Sequence, residues 1–313
     1  MCSSGDCRVG WGGVGQEAGV FRGSLGYAPK DLQPGRFCRF GPRKSGWAKL
    51  FDDGRGGVFG DYRQNLSRHW MASPPMHQSA NEIAAMRRQI RQAAQEREAE
   101  QRSQWAKNAE RNAALWAAAS PPGEAVRSYL ASRGLGAWTI PACIREHPSL
   151  SYWHADDTGE LHLLGRYPAM LAPVVSGGKL LALHRTYLND GCKADVPTPK
   201  NLTPACGPLT GAYIPLAASR GGVLGIAEGI ETAAAASLGS GLPVVAAYCA
   251  NALAGFAFPP GIDRLVIFAD HDPAGQQAAT TLEQRALKVD ITPKTLTPSK
   301  PGSDWADVWL EGQ

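Results

Sequence analysis

From residue 221 onward, apolar segments alternate with helix-forming ones, and few folds accommodate that order. VLGIA (223–227), PVVAAY (243–248) and RLVIFA (264–269) read as strands. EGIETAAAASLG, NALAGF and AGQQAATTLEQRAL read as the intervening helices, and KVDI (288–291) as a last strand followed by a loop. Strands apolar on both sides are buried on both faces, and a dozen residues between them suits a helical crossover. The expected product is a parallel sheet covered by helices on both faces. In such sheets ligands gather at the carboxyl ends of the strands.

That rule turns the acidic residues into a geometry. Glu228 follows VLGIA directly, Asp270 and Asp272 follow RLVIFA, and Asp304 and Asp307 come after the last strand. In a parallel sheet all five can reach one edge. Oxygen ligands without paired Cys or His favour Mg²⁺ or Mn²⁺ over zinc. Each acid also has a simpler use: Glu228 as a first-turn acid, Asp270 or Asp272 as the cap of the helix near Pro273. One cap needs one carboxylate, and five at one edge exceed that need. His271 points away from its flanking aspartates in an extended backbone and is read as structural. Glu231, a helical turn past Glu228, is either a solvated helix residue or a support for the site.

The front of the chain has another character. Residues 35–70 hold short alternating runs (RFCRF, WAKLF, GVFGDY) separated by turn signals, which predicts a small antiparallel sheet. Arg36, Arg39, Arg43, Lys44, Lys49 and Arg63 alternate there with aromatic residues such as Trp47. Cations with interleaved rings suit single-stranded nucleic acid, phosphates on the charges and bases on the rings. The alternative is that the rings are the core of a small sheet. Residues 1–77 carry 11 Lys/Arg against 6 Asp/Glu, while residues 220–313 carry 6 against 10. A basic front and an acidic back suit a polyanion at one end and metal ions at the other.

Between them, residues 79–119 lack Pro and Gly and are rich in Ala, Gln, Glu and Arg, which predicts a long helical connector in two or more segments with a thin apolar face. Residues 123–217 read as an α+β unit whose strands include PAMLAPVVS, KLLALHRTYLN and GAYIPLA. Its cations Arg185, Lys193 and Lys200 are either wet-face residues or phosphate contacts. The expected organisation is a loose leader (1–20), a small β-rich nucleic-acid-binding domain (21–77), a helical connector (78–120), an α+β subdomain (121–219) and the parallel-sheet domain (220–313). Seven cysteines without a CxxC pair predict neither a zinc ribbon nor a disulfide framework, and reduced thiols point to the cytoplasm. With no charged-then-apolar leader and no long apolar run, neither secretion nor a membrane partner is expected.

EGIETA, FADHDPAG and SDWADV, in that order and spacing, resemble the three-part signature of the Toprim domain of bacterial-type primases, topoisomerases and some nucleases. Upstream, YLASRGL, PAMLAPVV, ALHRTYLNDGCKA and PKNL are similar to the stretch preceding Toprim in primases of phages, plasmids and conjugative elements. FCRFG, GGVFGDYR and the following Trp resemble the front of such primases. The resemblance implies an α/β fold with a C-terminal Toprim-like sheet, preceded by a primase-type α+β subdomain, the helical connector and the β-rich domain. It implies Glu228 for acid–base work or metal organisation, Asp270 and Asp272 as metal ligands, and Asp304 with Asp307 as the final acidic pair. Here that pair has two intervening residues, where many primases have one. Arg185, Lys193 and Lys200 would face nucleotide and template. Many relatives carry a zinc ribbon in front of the core, and this chain shows none.

The expected activity is synthesis of short RNA primers on single-stranded DNA from nucleoside triphosphates, dependent on Mg²⁺ or Mn²⁺. No GxxxxGK[ST] is present, so a replicative helicase would be a separate partner. The alternatives are a Toprim nuclease and a non-catalytic single-strand-binding protein.

Overall fold

The computed structural model describes residues 14–42, 45–52, 56–61, 64, 66–71, 80–156 and 160–312. Two compact units result, Met1–Arg102 and Ser103–Gln313.

In the first unit, α1 (Val14–Leu25) precedes a four-stranded antiparallel meander of β1 (Phe37–Phe40), β2 (Gly46–Leu50), β3 (Gly56–Asp61) and β4 (Leu66–Met71). The leader expected to reach residue 20 is therefore a helix from Val14 on. Phe21 and Leu25, four residues apart, share a helix face and bury against Phe40, Phe59 and Trp70. The Gly-rich composition around them hides that pair.

The next element, α2 (Ala80–Ala117), is one continuous helix of 38 residues, where several segments were expected. With no Pro or Gly inside it, nothing interrupts the hydrogen-bond ladder. Within the first unit, the Arg97 guanidinium lies 4.7 Å over the Trp47 ring, and Glu96 pairs with Lys49. Trp47 also stacks on Phe37 with ring centroids 6.1 Å apart. The sheet is thus covered by α1 on one face and by α2 residues on the other.

The second unit holds the rest of α2, then α3 (Glu124–Ser132) and an antiparallel sheet of β5 (Arg145–Ala155), β6 (Leu161–Ser176), β7 (Lys179–Asn189) and β8 (Cys192–Lys193), with β9 (Lys200–Leu202) also on β7. Two asparagines anchor the end of α2 to this unit. Asn108 and Asn112 are buried and donate to the carbonyls of Ala205 (2.7 Å) and Pro204 (3.1 Å).

The parallel sheet follows: β10 (Val223–Ala227), α4 (Ile230–Ser240), β11 (Val244–Ala246), α5 (Ala250–Gly255), β12 (Arg264–Phe268), α6 (Pro273–Leu287), β13 (Thr292–Leu296) and α7 (Trp305–Glu311). Its order is β11-β10-β12-β13, and every pair is parallel. Leu224, Ile226, Leu265 and Ile267 pack with Leu253 and Phe256 near α5 and with Leu282 of α6. Ala227 and Phe268 bury in another core with Ala233 and Ala234 of α4 and Ala306 of α7. The expected α/β architecture, helices on both faces included, is what the chain forms. The second core also contains Met170, Ala172 and Val174 of β6 and Leu188 of β7, so the antiparallel and parallel sheets share it.

Two strand expectations are corrected. The last strand is TPKTL rather than KVDI. Asp290 has φ 58°, a turn conformation, and β13 lies at the sheet edge, where Pro293 can be tolerated without a backbone donor. GAYIPLA is not a strand but a stitch: Tyr213 bridges to Val175 of β6, and Ile214 to Ala246 of β11. Among the described residues no helix is long and apolar enough to cross a membrane.

Candidate active site

Because β10 and β12 are neighbours in parallel register, their ends deliver Glu228 and Asp270 side by side, with Ala227 opposite Phe268. Asp272 comes two residues later as the N-cap of α6, its Oδ1 accepting from the Gly275 N–H at 2.7 Å. Gly275 is required by close approach. A Cβ there would stand 2.8 Å from the Asp270 carbonyl oxygen, so the start of α6 can lie against Asp270 only without a side chain. Asp304 caps α7, its Oδ1 accepting from Ala306 (2.7 Å) and Asp307 (2.9 Å). Asp307 returns a bond to the Asp304 N–H, closing a capping box.

His271 explains how Asp304 arrives. Its ring Nδ1 lies 2.8 Å from the Pro298 carbonyl oxygen, its N–H donates to Ser303, and its carbonyl accepts from Gly302. The histidine between the two aspartates pins the 297–303 loop, as a structural residue should.

The acids feel one another. Burial raises the Asp270 carboxyl to about 7, with the charges of Glu228, Asp304, Asp272 and Asp307 adding to the rise. Burial likewise raises Glu228, helped by Asp272 and Asp304 and opposed by the Ala250 N–H and the charge of Lys200. Asp270 Oδ1 is buried with no hydrogen-bond partner. A buried carboxylate oxygen lacking a donor, surrounded by like charges, is what a hard divalent cation resolves, so these residues fit one. Asp304 Oδ2 takes a weak bond from Thr232 (3.4 Å), whereas Asp307 is drawn towards Arg133 (3.8 Å).

A tighter cluster lies elsewhere. Asp156, Glu160 and His162, at the tip of the β5–β6 hairpin, bring ligand atoms within 4.8 Å of one another, and among the described residues no other such trio does. All three are exposed, and exposed acidic groups are common without an ion.

The basic residues divide by register. Lys200 lies opposite Thr186 and Lys193 opposite Leu188, which puts both on the sheet face that carries His184. That face meets α4 of the parallel-sheet domain, because Lys200 Nζ donates to Glu231 Oε2 at 2.8 Å. Arg185 is a correction. It lies opposite Asn201 on the other face, donating to the Leu202 carbonyl (2.9 Å) with its guanidinium 5.8 Å from the Tyr187 ring. Period-two alternation turns it away from Lys200 and Lys193.

Glu231 is what sequence reasoning undervalued. It is 4% exposed, not a solvated helix residue, and accepts from both Lys200 and the Tyr129 hydroxyl. Burial alone would raise its carboxyl. The charge of Lys200 and the bonds from Lys200 and Tyr129 outweigh that and hold it at about 2. A signal was present: its helix neighbours Ile230 and Ala233–Ala236 are apolar on every side. Burial lowers His184 to about 4, so it is neutral, and burial also lowers Lys193, aided by the nearby Lys200.

In the first unit the expected nucleic-acid face is corrected in part. Trp47 is 2% exposed, with Phe40, Phe51, Phe59 and Trp70 also buried, so these rings are core and none is a stacking platform. Lys49 is committed to Glu96. Arg36 and Arg39 are exposed, while Arg43, Lys44 and Arg63 lie outside the described residues.

Residues 223–313 match the Toprim domain family, and residues 106–213 match a domain of unknown function (DUF7146). Residues 223–313 are a Toprim domain. Among solved structures, the chain is similar to a DNA primase domain from Pseudomonas aeruginosa (16% identity, 51% of this chain and 52% of that one, TM-score 0.34). It is also similar to a DnaG primase catalytic domain bound to ssDNA (15%, 68% and 78%, 0.44) and to the Aquifex aeolicus primase zinc-binding and RNA polymerase domains (12%, 88% and 77%, 0.42). The chain thus spans about half the length of the first of these. No curated protein matches it.

Proposed function

We propose that the chain is a DNA primase that joins ribonucleoside triphosphates into short primers on single-stranded DNA. The observation that carries this is the pairing of an acidic edge with a basic sheet face inside one compact unit. Glu228, Asp270, Asp272 and Asp304 stand at the ends of the parallel strands, with Lys200 near enough to lower Glu228. Ammonium groups facing metal-binding carboxylates suit a triphosphate.

Asp270 and Glu228, with Asp272 and Asp304, would hold Mg²⁺ or Mn²⁺. Held there, a divalent cation would supply positive charge against the negative charge that develops as pyrophosphate leaves. Lys200 and Lys193 would orient the incoming triphosphate. Asp307, tied into the capping box and towards Arg133, supports Asp304 rather than ligating. Arg36 and Arg39 are proposed to attract template as exposed cations rather than as a stacking surface, with Arg43, Lys44 and Arg63 adding to the basic charge of the segment. A separate helicase, a cytoplasmic setting and a place on a plasmid, phage or conjugative element complete the proposal.

The test is primer synthesis by purified protein on mixed-sequence single-stranded DNA with labelled triphosphates and Mg²⁺, beside Asp270→Ala/Asp272→Ala. Short oligomers made only by the wild type support it. Cutting of the DNA that depends on Asp270, without oligomers, replaces it by a Toprim nuclease. DNA binding with no chemistry leaves a single-strand-binding protein.

A further inference from the structure

We propose that Glu231 is a positioning residue: it holds Lys200, and through Lys200 the neighbouring Lys193, as a paired phosphate-binding unit opposite the acidic edge. This rests on the primase reading for its substrate, a nucleoside triphosphate, and concerns a residue that is neither a ligand nor a phosphate contact.

Three observations converge on Glu231. First, it is buried and both carboxylate oxygens are used, Oε1 by Tyr129 of α3 and Oε2 by Lys200 of β9. One side chain thereby joins α3, the antiparallel sheet and α4. Second, Lys200 belongs to a strand of only three residues paired with Thr186, so little else fixes where its long side chain goes. Third, Lys193 and Lys200 share a sheet face, where burial and then the charge of Lys200 make Lys193 harder to keep charged, while Glu231 acts on Lys193 in the opposite sense.

A buried carboxylate paired with Lys200 and close to Lys193 offsets the repulsion between the two cations before any phosphate arrives. Without it, Lys200 is free to swing towards the Glu228–Asp270 edge, where a carboxylate would take the charge intended for substrate. Preorganised cations are worth more to a charged ligand than mobile ones, because no ordering is left to complete on binding. Glu231 is also kept off the metal, since both its oxygens are occupied.

The experiment is calorimetric titration of MgATP into the full chain as wild type, Glu231→Gln, Lys200→Met and the double variant, with steady-state primer synthesis alongside. Glu231→Gln is expected to weaken MgATP at least tenfold and to raise KM more than it lowers kcat. The double variant should bind within twofold of Lys200→Met alone, because a residue acting through Lys200 has nothing left to position. The double variant also removes both members of the pair, so it keeps the test available if Glu231→Gln folds poorly. MgATP binding by Glu231→Gln within twofold of wild type overturns the inference, and so do losses that multiply in the double variant. Wild type that binds MgATP with this pattern but makes no primers removes the primase reading and leaves Glu231 in its role. Primer synthesis with an indifferent Glu231 does the reverse.

Discussion

Two carboxylates three residues apart, Glu228 and Glu231, meet opposite fates. Glu231 is sunk in an apolar helix with a cation and a hydroxyl on its oxygens, and is held at about 2. Glu228, at the end of β10, is pushed up by burial and by other acids, and Asp270 is raised by the same causes to about 7. A satisfied buried acid stabilises the fold it is part of. A cluster of mutually repelling acids destabilises the fold unless something positive joins it, and such clusters mark sites of function. The difference is one of partners, not of residue type.

Removing the repelling acids has the largest consequence. Asp270→Ala/Asp272→Ala should lower primer synthesis by about a thousandfold or more, if transition-state charge is met at this edge. Retained far-ultraviolet circular dichroism would attribute the loss to chemistry rather than unfolding.

Stability should move in opposite directions at the two places. Glu231→Ala leaves Tyr129 and the partly exposed Lys200 without their acceptor, and should cost about 2–3 kcal/mol in urea unfolding. Asp270→Asn removes a strained charge and should stabilise the metal-free protein at pH 8 by about 1–2 kcal/mol, discounted for partial exposure. Stabilisation by both changes, or loss by both, would erase the contrast.

pH sharpens it further. The folded Asp270 holds its proton to about 7 against an ordinary 3.8, so its contribution is complete below about pH 4 and is lost as pH rises towards 7. Metal-free protein should therefore lose melting temperature over that window, all else equal. Millimolar Mg²⁺ should raise the melting temperature more at pH 8 than at pH 5, where protons compete for the same oxygens. An equal rise at both values would mean that the ion binds away from these acids.

The smallest effect belongs to the first unit. Arg36→Ala/Arg39→Ala should flatten the plot of log affinity for single-stranded DNA against log salt by about 1.4, two phosphate contacts at about 0.7 each. Lys49→Ala, whose charge is already met by Glu96, should leave the slope unchanged.

How much was legible from residues alone differs along the chain. Parallel strands and the acids at their ends were readable, because burial on both faces writes continuous apolar runs and a connection leaves its acids at the strand tips. The edge strand TPKTL was not, since its Pro293 is a turn signal except at a sheet edge, and edge position is a property of strand order. Helix α1 was hidden because two apolar residues in a Gly-rich stretch show no pattern until a sheet is there to receive them. Arg185 was grouped with Lys193 and Lys200 because sequence shows a cation in a strand but not the register that selects its face.

The sequence by itself determined the class of the C-terminal domain and the identity of the acids at its edge, because alternation and chain connectivity are local. Only the tertiary structure decided which charges have partners. Glu231 meets Tyr129 and Lys200 across 102 and 31 residues of chain. Trp47 disappears beneath Arg97, and Asp270 Oδ1 is left with none. The charge state and role of a buried group depend on what stands within a few ångströms of it, and those neighbours are set by folding rather than by order along the chain.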